Sequence, residues 1–488
     1  MQERPRARFP ALAAALSFLF PGLGQAYARE PTLGAILAAP VALLLLALLA
    51  AIILLPGSLR NALFDSGFLT ALLVLDAALL VWRLFAILQV GIARPRPTLP
   101  AAAAVHPPRH RPWELAIVLV LVVATVAMHA WSGLVVATLD GTLRQVFTGN
   151  TDGVNLPSGQ PIAADPNPLN QPDYHWDGTT RVSFLLLGID SGPYRTEALT
   201  DTILVVSVDP VRHTAVMVSI PRDTGYLPLP DRRIYADGLY PDKINSLSTV
   251  ANNQPELWCP DLPAGANCGI RTLERSVGLY LGVEINYYAT VNLQGFTDLI
   301  DALGGVRLCL PGVLADPGYK LATPQGRPGI SLPAGCRVMN GPQALAYARI
   351  RKGTLTLPDG TVEQQNDFKR AARQQDLLVA LRDKFASANW VLGLPDLLRA
   401  VGETVQTDFP RRDAGNLASL MPLITGSDIN RVVLDWPDYV DLPSNPNVNY
   451  LLIPRREDIR AAAEKLFGGD GPLAGWYVGS TSKAPPSQ

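Results

Sequence analysis

Apolar residues crowd the first quarter of the chain and then give way to shorter alternating and helical patterns. Residues 34–55, GAILAAPVALLLLALLAAIILL, carry no charge and reach the roughly 20 apolar residues that a helix needs to cross a bilayer. Residues 67–92 predict a second span that includes Asp76 and Arg83, and residues 115–138 a third. An earlier stretch, 11–27, is interrupted by Pro21, Gly22 and Gly24 before it reaches spanning length, and reads as re-entrant or interfacial. The loop at 93–112 holds Arg94, Arg96, Arg109 and Arg111 and no acid, which places it in the cytoplasm, as Arg4, Arg6 and Arg8 place the N-terminus. Two spans fit between these points. The third then leads outward, so everything after about residue 139 is expected outside the cytoplasm.

Residues 139–180, rich in Asn, Asp, Pro and Gly over most of their length, read as a linker. From 181 the periodicity changes. RVSFLLLGID (181–190) reads as a buried strand ending in Asp190, and TILVVSVDP (202–210) as a second with Asp201 just before it. HTAVMVSIPRDT (213–224) is a third, delivering Arg222 and Asp223 at its end. Helical patterns at 270–281 and 292–303 flank a strand, NYYATVNL, and Gly304 and Gly305 close the second of them. If YARIR (347–351) is extended, Arg349 and Arg351 point to one face, because strand side chains alternate. DFKRAARQQDLLVALRDKF (367–385) is helical in pattern and sets Arg370, Arg373 and Gln374 on one side. Further helical stretches, INRVVLDW (429–436) and an amphipathic helix at 455–467 complete a domain over 181–470, and 471–488 is a polar tail. The fold class is α/β, a mixed central sheet flanked by helices, preceded by a transmembrane helical region over 1–138.

Composition sharpens the division. Of 488 residues, 48% are hydrophobic and 17% charged, too apolar for a wholly soluble chain, and the excess sits in the three spans. The net charge of −1 averages two unlike regions and identifies no partner. All four cysteines, Cys259, Cys268, Cys309 and Cys336, fall in the exterior part, which suits disulfides in an oxidising compartment. Nearest-neighbour pairing is the simplest of three connectivities. A zinc site is disfavoured because the spacings are wide and no histidine lies near them.

Six cationic side chains lie within residues 347–375, between apolar flanks. Taken alone, such a segment is most often a solvated face. Guanidinium groups also bind phosphate oxygens bidentately, and ligands of open α/β sheets sit outside strand ends, where Asp190, Asp201 and Arg222 fall. Asp190 and Asp201 have a bland reading too, as turn caps beside strands.

Several motifs, in order, resemble the LytR-CpsA-Psr family of cell-wall glycopolymer ligases: LLLGID, TDTILVVSVDP, SIPRDT, KIN, LIDALGGV, ALAYARIRK and DFKRAARQQ, together covering about 181–390. The resemblance implies a three-layer extracytoplasmic domain behind a membrane anchor. It implies transfer of a glycan phosphate from a polyprenyl diphosphate-linked donor to a peptidoglycan hydroxyl, with no nucleic acid involved. Carried over position by position, Asp190 and Asp201 match acids associated with a divalent cation, Mg2+ or Mn2+. Arg222, Arg349, Arg351 and Gln374 match residues that hold the diphosphate, and Lys243, Arg370 and Arg373 belong to the same motifs. A general base is open between Asp223 and a metal-associated acid.

The chain departs from the family where Leu199 stands in place of an arginine, with Arg195 nearby as a substitute, and where KGTLTLPDGTVEQQN adds a predicted hairpin around Asp359-Gly360. Its three spans exceed the usual single anchor. Two rival functions use much of the same residue set: hydrolysis of the diphosphate lipid, and binding or sensing of polyprenyl phosphates without catalysis. Asp190 with Asp201 separates the last from the others, since a binder needs arginines but no metal pair.

Overall fold

A computed structural model describes residues 10–92, 112–147, 176, 178–190, 199–260, 267–319, 329–386, 394–443 and 450–468. The chain divides into two units, Met1–Asp140 and Gly141–Gln488.

In the first unit three helices, Pro31–Leu54, Ser66–Ile92 and Pro112–Val146, are long and apolar enough to cross a membrane. The last extends past the expected 138 because LDGTLRQV keeps helical periodicity, so the first residues assigned to the linker are helical instead. The broken stretch forms two short helices, Pro10–Leu19 and Leu23–Tyr27. Gly22 between them adopts φ +97°, and a Cβ on Gly24 would lie 2.0 Å from Ala13 O, so glycine is required at this close approach. Both charged residues of the second span find partners. Arg83 donates to Phe18 O at 2.6 Å. Asp76 accepts from Ser132 Oγ at 2.8 Å and lies 2.9 Å from His129 Nδ1 on the third long helix. Polar groups in such helices are tolerated where neighbours satisfy them. The two arginine-rich segments that set the expected topology lie outside the described residues.

In the second unit six strands build the central sheet: β1 (Val182–Asp190), β2 (Leu199–Asp209), β3 (Thr214–Ser219), β4 (Tyr287–Asn292), β5 (Val405–Thr407) and β6 (Ile429–Val433), in the order β5-β4-β1-β2-β3-β6. β1 pairs antiparallel to β2 and parallel to β4, and β3 runs antiparallel to β2 and parallel to β6. The sheet is therefore mixed, as the pattern predicts. One apolar core joins β1, β2 and β3 to the helices Ile244–Asn253 and Cys268–Leu281; a second is built by Leu293–Ala302, Gly341–Arg349 and Asp367–Ala386. Gln375 seats the Asp367–Ala386 helix on the sheet, donating to Ser219 Oγ at 2.9 Å and Val432 O at 2.8 Å.

The structure corrects one element. YARIR is not extended: Asn340 and Gln343 form a capping box that starts a helix over Gly341–Arg349, and Ile350 leaves it. Arg349 thus ends a helix and Arg351 follows it in a turn, so no strand alternation aligns them. The predicted hairpin is present, Thr354–Thr356 against Val362–Gln364, with Gly360 at φ +86° in its turn. Disulfides join Cys259 to Cys268 and Cys309 to Cys336. Arg195, most of the linker and the 471–488 tail lie outside the described residues.

Candidate functional site

A β-bulge aims the first acid. The β1–β2 register passes from Gly188 opposite Thr202 to Ile189 opposite Thr200, so Asp201 is the extra residue at the end of the pair. A bulge of this kind bends the strand and re-aims the side chain it carries. Gly188 is needed opposite, because a Cβ there would lie 2.8 Å from Thr202. β1 ends at Asp190, whose backbone pairs with Leu199; the Asp190 side chain lies outside the described residues.

The turn after β3 supplies the next groups. Arg222 Nη1 donates to Asp201 Oδ1 at 2.6 Å, and Arg222 Nε lies 3.9 Å from Asp223 and 3.7 Å from Asp367. Lys243 Nζ reaches Asp223 at 2.7 Å from the start of the Ile244–Asn253 helix. That helix is docked on the turn itself, since Ile244 N donates to Thr224 O and Asn245 N to Arg222 O. Asp367 opens the last long helix of the site, where the helix dipole favours an acid. Arg370, one turn on, donates to Asp201 O at 2.9 Å and pairs with Asp367 at 3.1 Å. Asp201, Arg222, Asp223, Lys243, Asp367 and Arg370 thus converge from four elements.

Three carboxylates and three cations balance formally in this cluster, but burial tilts the individual groups. Burial alone would lower Arg222; Asp201, Asp367 and Asp223 outweigh it, so the guanidinium ends above its ordinary value. Burial lifts the Asp367 carboxyl above its ordinary range, with Arg370 and Arg222 opposing that without cancelling it. Arg370 is lowered by burial despite Asp367. Arg222 Nε, Arg370 Nε and Asp367 Oδ1 are buried without a hydrogen-bond partner. Asp201 Oδ2 has no hydrogen-bond partner among the described residues.

Two sequence candidates play a different part from the one expected. Arg373 does not join the cluster: its Nε donates to Tyr347 O at 2.7 Å, and its two Nη groups donate to Gln365 Oε1 and Ile350 O. It is buried, and burial lowers it to about 10. Its hydrogen bonds to Tyr347 O and Ile350 O fix the chain as it leaves the Gly341–Arg349 helix. Gln374 donates to Ala348 O at 3.2 Å, between those two carbonyls in sequence. Arg373 and Gln374 therefore hold the RIR segment. Arg351, exposed, makes no hydrogen bond or ion pair among the described residues, while Arg349 is half-buried at its helix end. Sequence reasoning missed Asp367 as a member of the site, although an acid at a helix start three residues before an arginine was a usable signal.

Among the described residues no group of three or more His, Cys, Asp or Glu side chains is arranged to hold a metal ion.

An open mixed sheet with an arginine–aspartate cluster outside its strand ends defines an α/β domain with a charged site of the kind that suits an oxygen-rich ligand. The chain belongs to the LytR_cpsA_psr family, whose model matches residues 158–457. Among curated relatives, a protein of Halalkalibacterium halodurans named polyisoprenyl-teichoic acid–peptidoglycan teichoic acid transferase TagU is 28% identical over 293 residues, 58% of this chain and 77% of its own. The correspondingly named TagV of Bacillus subtilis is 25% identical over 287 residues, 58% and 63% of the two chains. The crystal structure of B. subtilis TagV covers 59% of this chain and 96% of its own, with a TM-score of 0.44 at 24% identity.

Proposed function

We propose that the protein transfers a glycan phosphate from a polyprenyl diphosphate-linked donor to a hydroxyl of peptidoglycan, on the outer face of a membrane that its three long apolar helices cross. The observation that carries this reading is the cluster itself. Two guanidinium groups, Arg222 and Arg370, are held by three carboxylates while their Nε–H donors lack acceptors. Unmatched buried donors in a folded protein call for an explanation, and phosphate oxygens would supply one. The names of the relatives support the reaction class and the acceptor.

The chemistry follows from the charges. Phosphoryl transfer requires positioning and neutralisation more than covalent help from the protein. Asp201, Asp223 and Asp367 already offset Arg222, Lys243 and Arg370, so a diphosphate brings negative charge that this cluster does not cancel. Arg351, exposed and without an ion pair among the described residues, supplies part of the difference, next to Ile350, whose carbonyl Arg373 holds. A divalent cation fits the remainder. Asp201 keeps one oxygen without a protein partner, and magnesium is held through one or two carboxylates plus substrate phosphates rather than by a full protein cage. Bound there with Asp201 and Asp190, it would neutralise charge on the phosphates.

The test uses the full chain in detergent with a synthetic polyprenyl diphosphate disaccharide, peptidoglycan fragments and magnesium, read by mass spectrometry. A glycan-phosphate-peptidoglycan product that disappears in Asp201→Ala and Arg222→Ala establishes transfer. Free glycan phosphate alone makes the protein a pyrophosphatase, and donor that is bound but unconverted makes it a binding module.

A further inference from the structure

Beside the cluster stands an aromatic side chain that the proposed reaction does not use. The backbone of residues 450–452 is laid along the turn after β3: Leu452 N donates to Asp223 O at 2.9 Å and Gly225 N donates to Leu452 O at 3.0 Å. Leu451 and Leu452 are buried, at 6% and 2% exposure, and a Cβ on Gly225 would lie 2.5 Å from the Leu451 side chain. This anchoring fixes Tyr450, which nevertheless keeps 39% exposure. Lys243 Nζ lies 5.9 Å from the Tyr450 ring centroid. Burial raises the Tyr450 phenol above its ordinary value, and the charges of Asp223 and Asp367 add to the shift. Exposure rises in order from Arg370 through Asp367 and Lys243, at 7%, 22% and 29%, so Tyr450 stands at the rim.

An exposed aromatic side chain held rigid by buried neighbours loses little entropy on contact and offers an apolar face with a polar tip. The complementary surface is the C–H face of a pyranose ring, which is apolar, faintly positive and surrounded by hydroxyls. We propose that Tyr450 is a positioning platform for a sugar ring next to the reacting phosphate. This rests on the proposed transfer reaction for its setting. The sugar comes either from the glycan of the donor or from the acceptor, and the two sources are separable by kinetics.

The experiment compares wild type, Tyr450→Phe and Tyr450→Ala as full chains, with donor and acceptor concentrations varied independently. Tyr450→Ala is expected to raise KM for one of the two substrates roughly three- to tenfold with kcat nearly unchanged, the scale of one lost aromatic contact, while Tyr450→Phe stays near wild type. The substrate whose KM moves is the source of the sugar. Binding of inorganic pyrophosphate, which has no sugar, is expected to be equal in all three. Unchanged KM values in Tyr450→Ala would overturn the platform. So would a loss in Tyr450→Phe equal to that in Tyr450→Ala, which assigns the work to the hydroxyl, or weakened pyrophosphate binding, which reduces Tyr450 to a prop for Lys243. Should wild type form no product, the transfer reading fails on its own, and equilibrium binding of the same donor and acceptor to the three proteins still decides the role of Tyr450 by the same comparisons.

Discussion

Arg222 donates a hydrogen bond of 2.6 Å to Asp201, joining the turn after β3 to the bulge at the start of β2. Both side chains are mostly removed from water, at 17% and 14% exposure, so neither charge is easily re-solvated when the other is lost. Asp201→Asn keeps shape and an acceptor oxygen but removes the charge. It is expected to lower kcat by about 10²–10³, the range found for losing one preorganised electrostatic group. Arg222→Ala additionally leaves carboxylates facing one another, and about 3 kcal/mol of stability goes with it. Steady-state rates and urea midpoints separate the two effects. An Asp201→Asn enzyme within a few-fold of wild type would remove this pair from the mechanism.

Metal dependence provides a second check on Asp201. Its unpartnered oxygen is available to a hard cation, and a diphosphate can contribute the remaining ligands. Chelation with EDTA is expected to abolish product formation, and magnesium to restore it. In Asp201→Asn the magnesium concentration for half-maximal rate should rise by about tenfold, since one anionic ligand is lost. Equal magnesium curves for the two proteins would place the cation elsewhere.

Arg351 and Arg373 lie 22 residues apart in sequence yet divide one task. Arg373 gives all three of its nitrogens to Tyr347 O, Ile350 O and Gln365, and thereby shapes the turn that presents Arg351. Arg373→Ala strands several buried acceptors and is expected to cost about 3 kcal/mol or more. Arg351→Ala removes no hydrogen bond or ion pair among the described residues. It should leave the melting temperature unchanged while raising KM for the donor. The two-column result, stability against KM, is the measurement; a stable Arg373→Ala with normal kinetics would overturn the assignment.

The parts of the architecture most legible in the sequence are those whose pattern is long or closed by local chemistry. The three apolar helices, the strands β1, β2 and β3, and the Asp359-Gly360 hairpin all follow from periodicity or turn residues. YARIR does not reveal its own conformation, because five residues cannot distinguish strand from helix end, and the deciding signal, the Asn340 and Gln343 capping box, lies upstream of it. The site residues were legible as types at strand ends and helix starts. Their division of labour was not. That Arg373 points into the protein while Arg351 points out depends on which carbonyls the fold brings within reach. Asp201 gains its orientation from a register shift that only strand pairing reveals, and Tyr450 is brought to the site by its neighbour Leu452, whose N–H donates to Asp223 O more than 200 residues away in sequence.

Asp76 on the second long helix accepts from Ser132 and lies 2.9 Å from His129 Nδ1 on the third, which gives the first unit a polar latch between two apolar helices. Interhelical hydrogen bonds in such surroundings contribute about 0.6 kcal/mol on average and up to ~1.7. Asp76→Leu is expected to lower the stability of the full chain in detergent by an amount in that range, without altering catalysis. Thermal unfolding followed by circular dichroism checks it. A more stable variant would mean that burying the carboxylate costs more than its two partners return.

Far along the sheet from the cluster, Asp408 accepts from Tyr288 N at 2.7 Å, near the ion pair of Arg271 with Glu274. Burial pushes the Asp408 carboxyl well above its ordinary 3.8, and the neighbouring Glu274 adds to the shift while Arg271 opposes it. The sign of the pH effect follows from counting protons. Above about pH 4 the unfolded chain releases this proton while the folded chain keeps it, so this group makes stability fall as pH rises, by at most ~1.4 kcal/mol per unit, until the folded carboxyl also ionises. Below that window both states are protonated and the group contributes nothing. Asp408→Asn retains an acceptor for Tyr288 N but cannot ionise. Its stability relative to wild type should therefore climb as pH rises above about 4 in paired urea titrations of the full chain. A difference that stays flat, or falls, across that rise would show that the folded carboxyl gives up its proton as readily as the unfolded one.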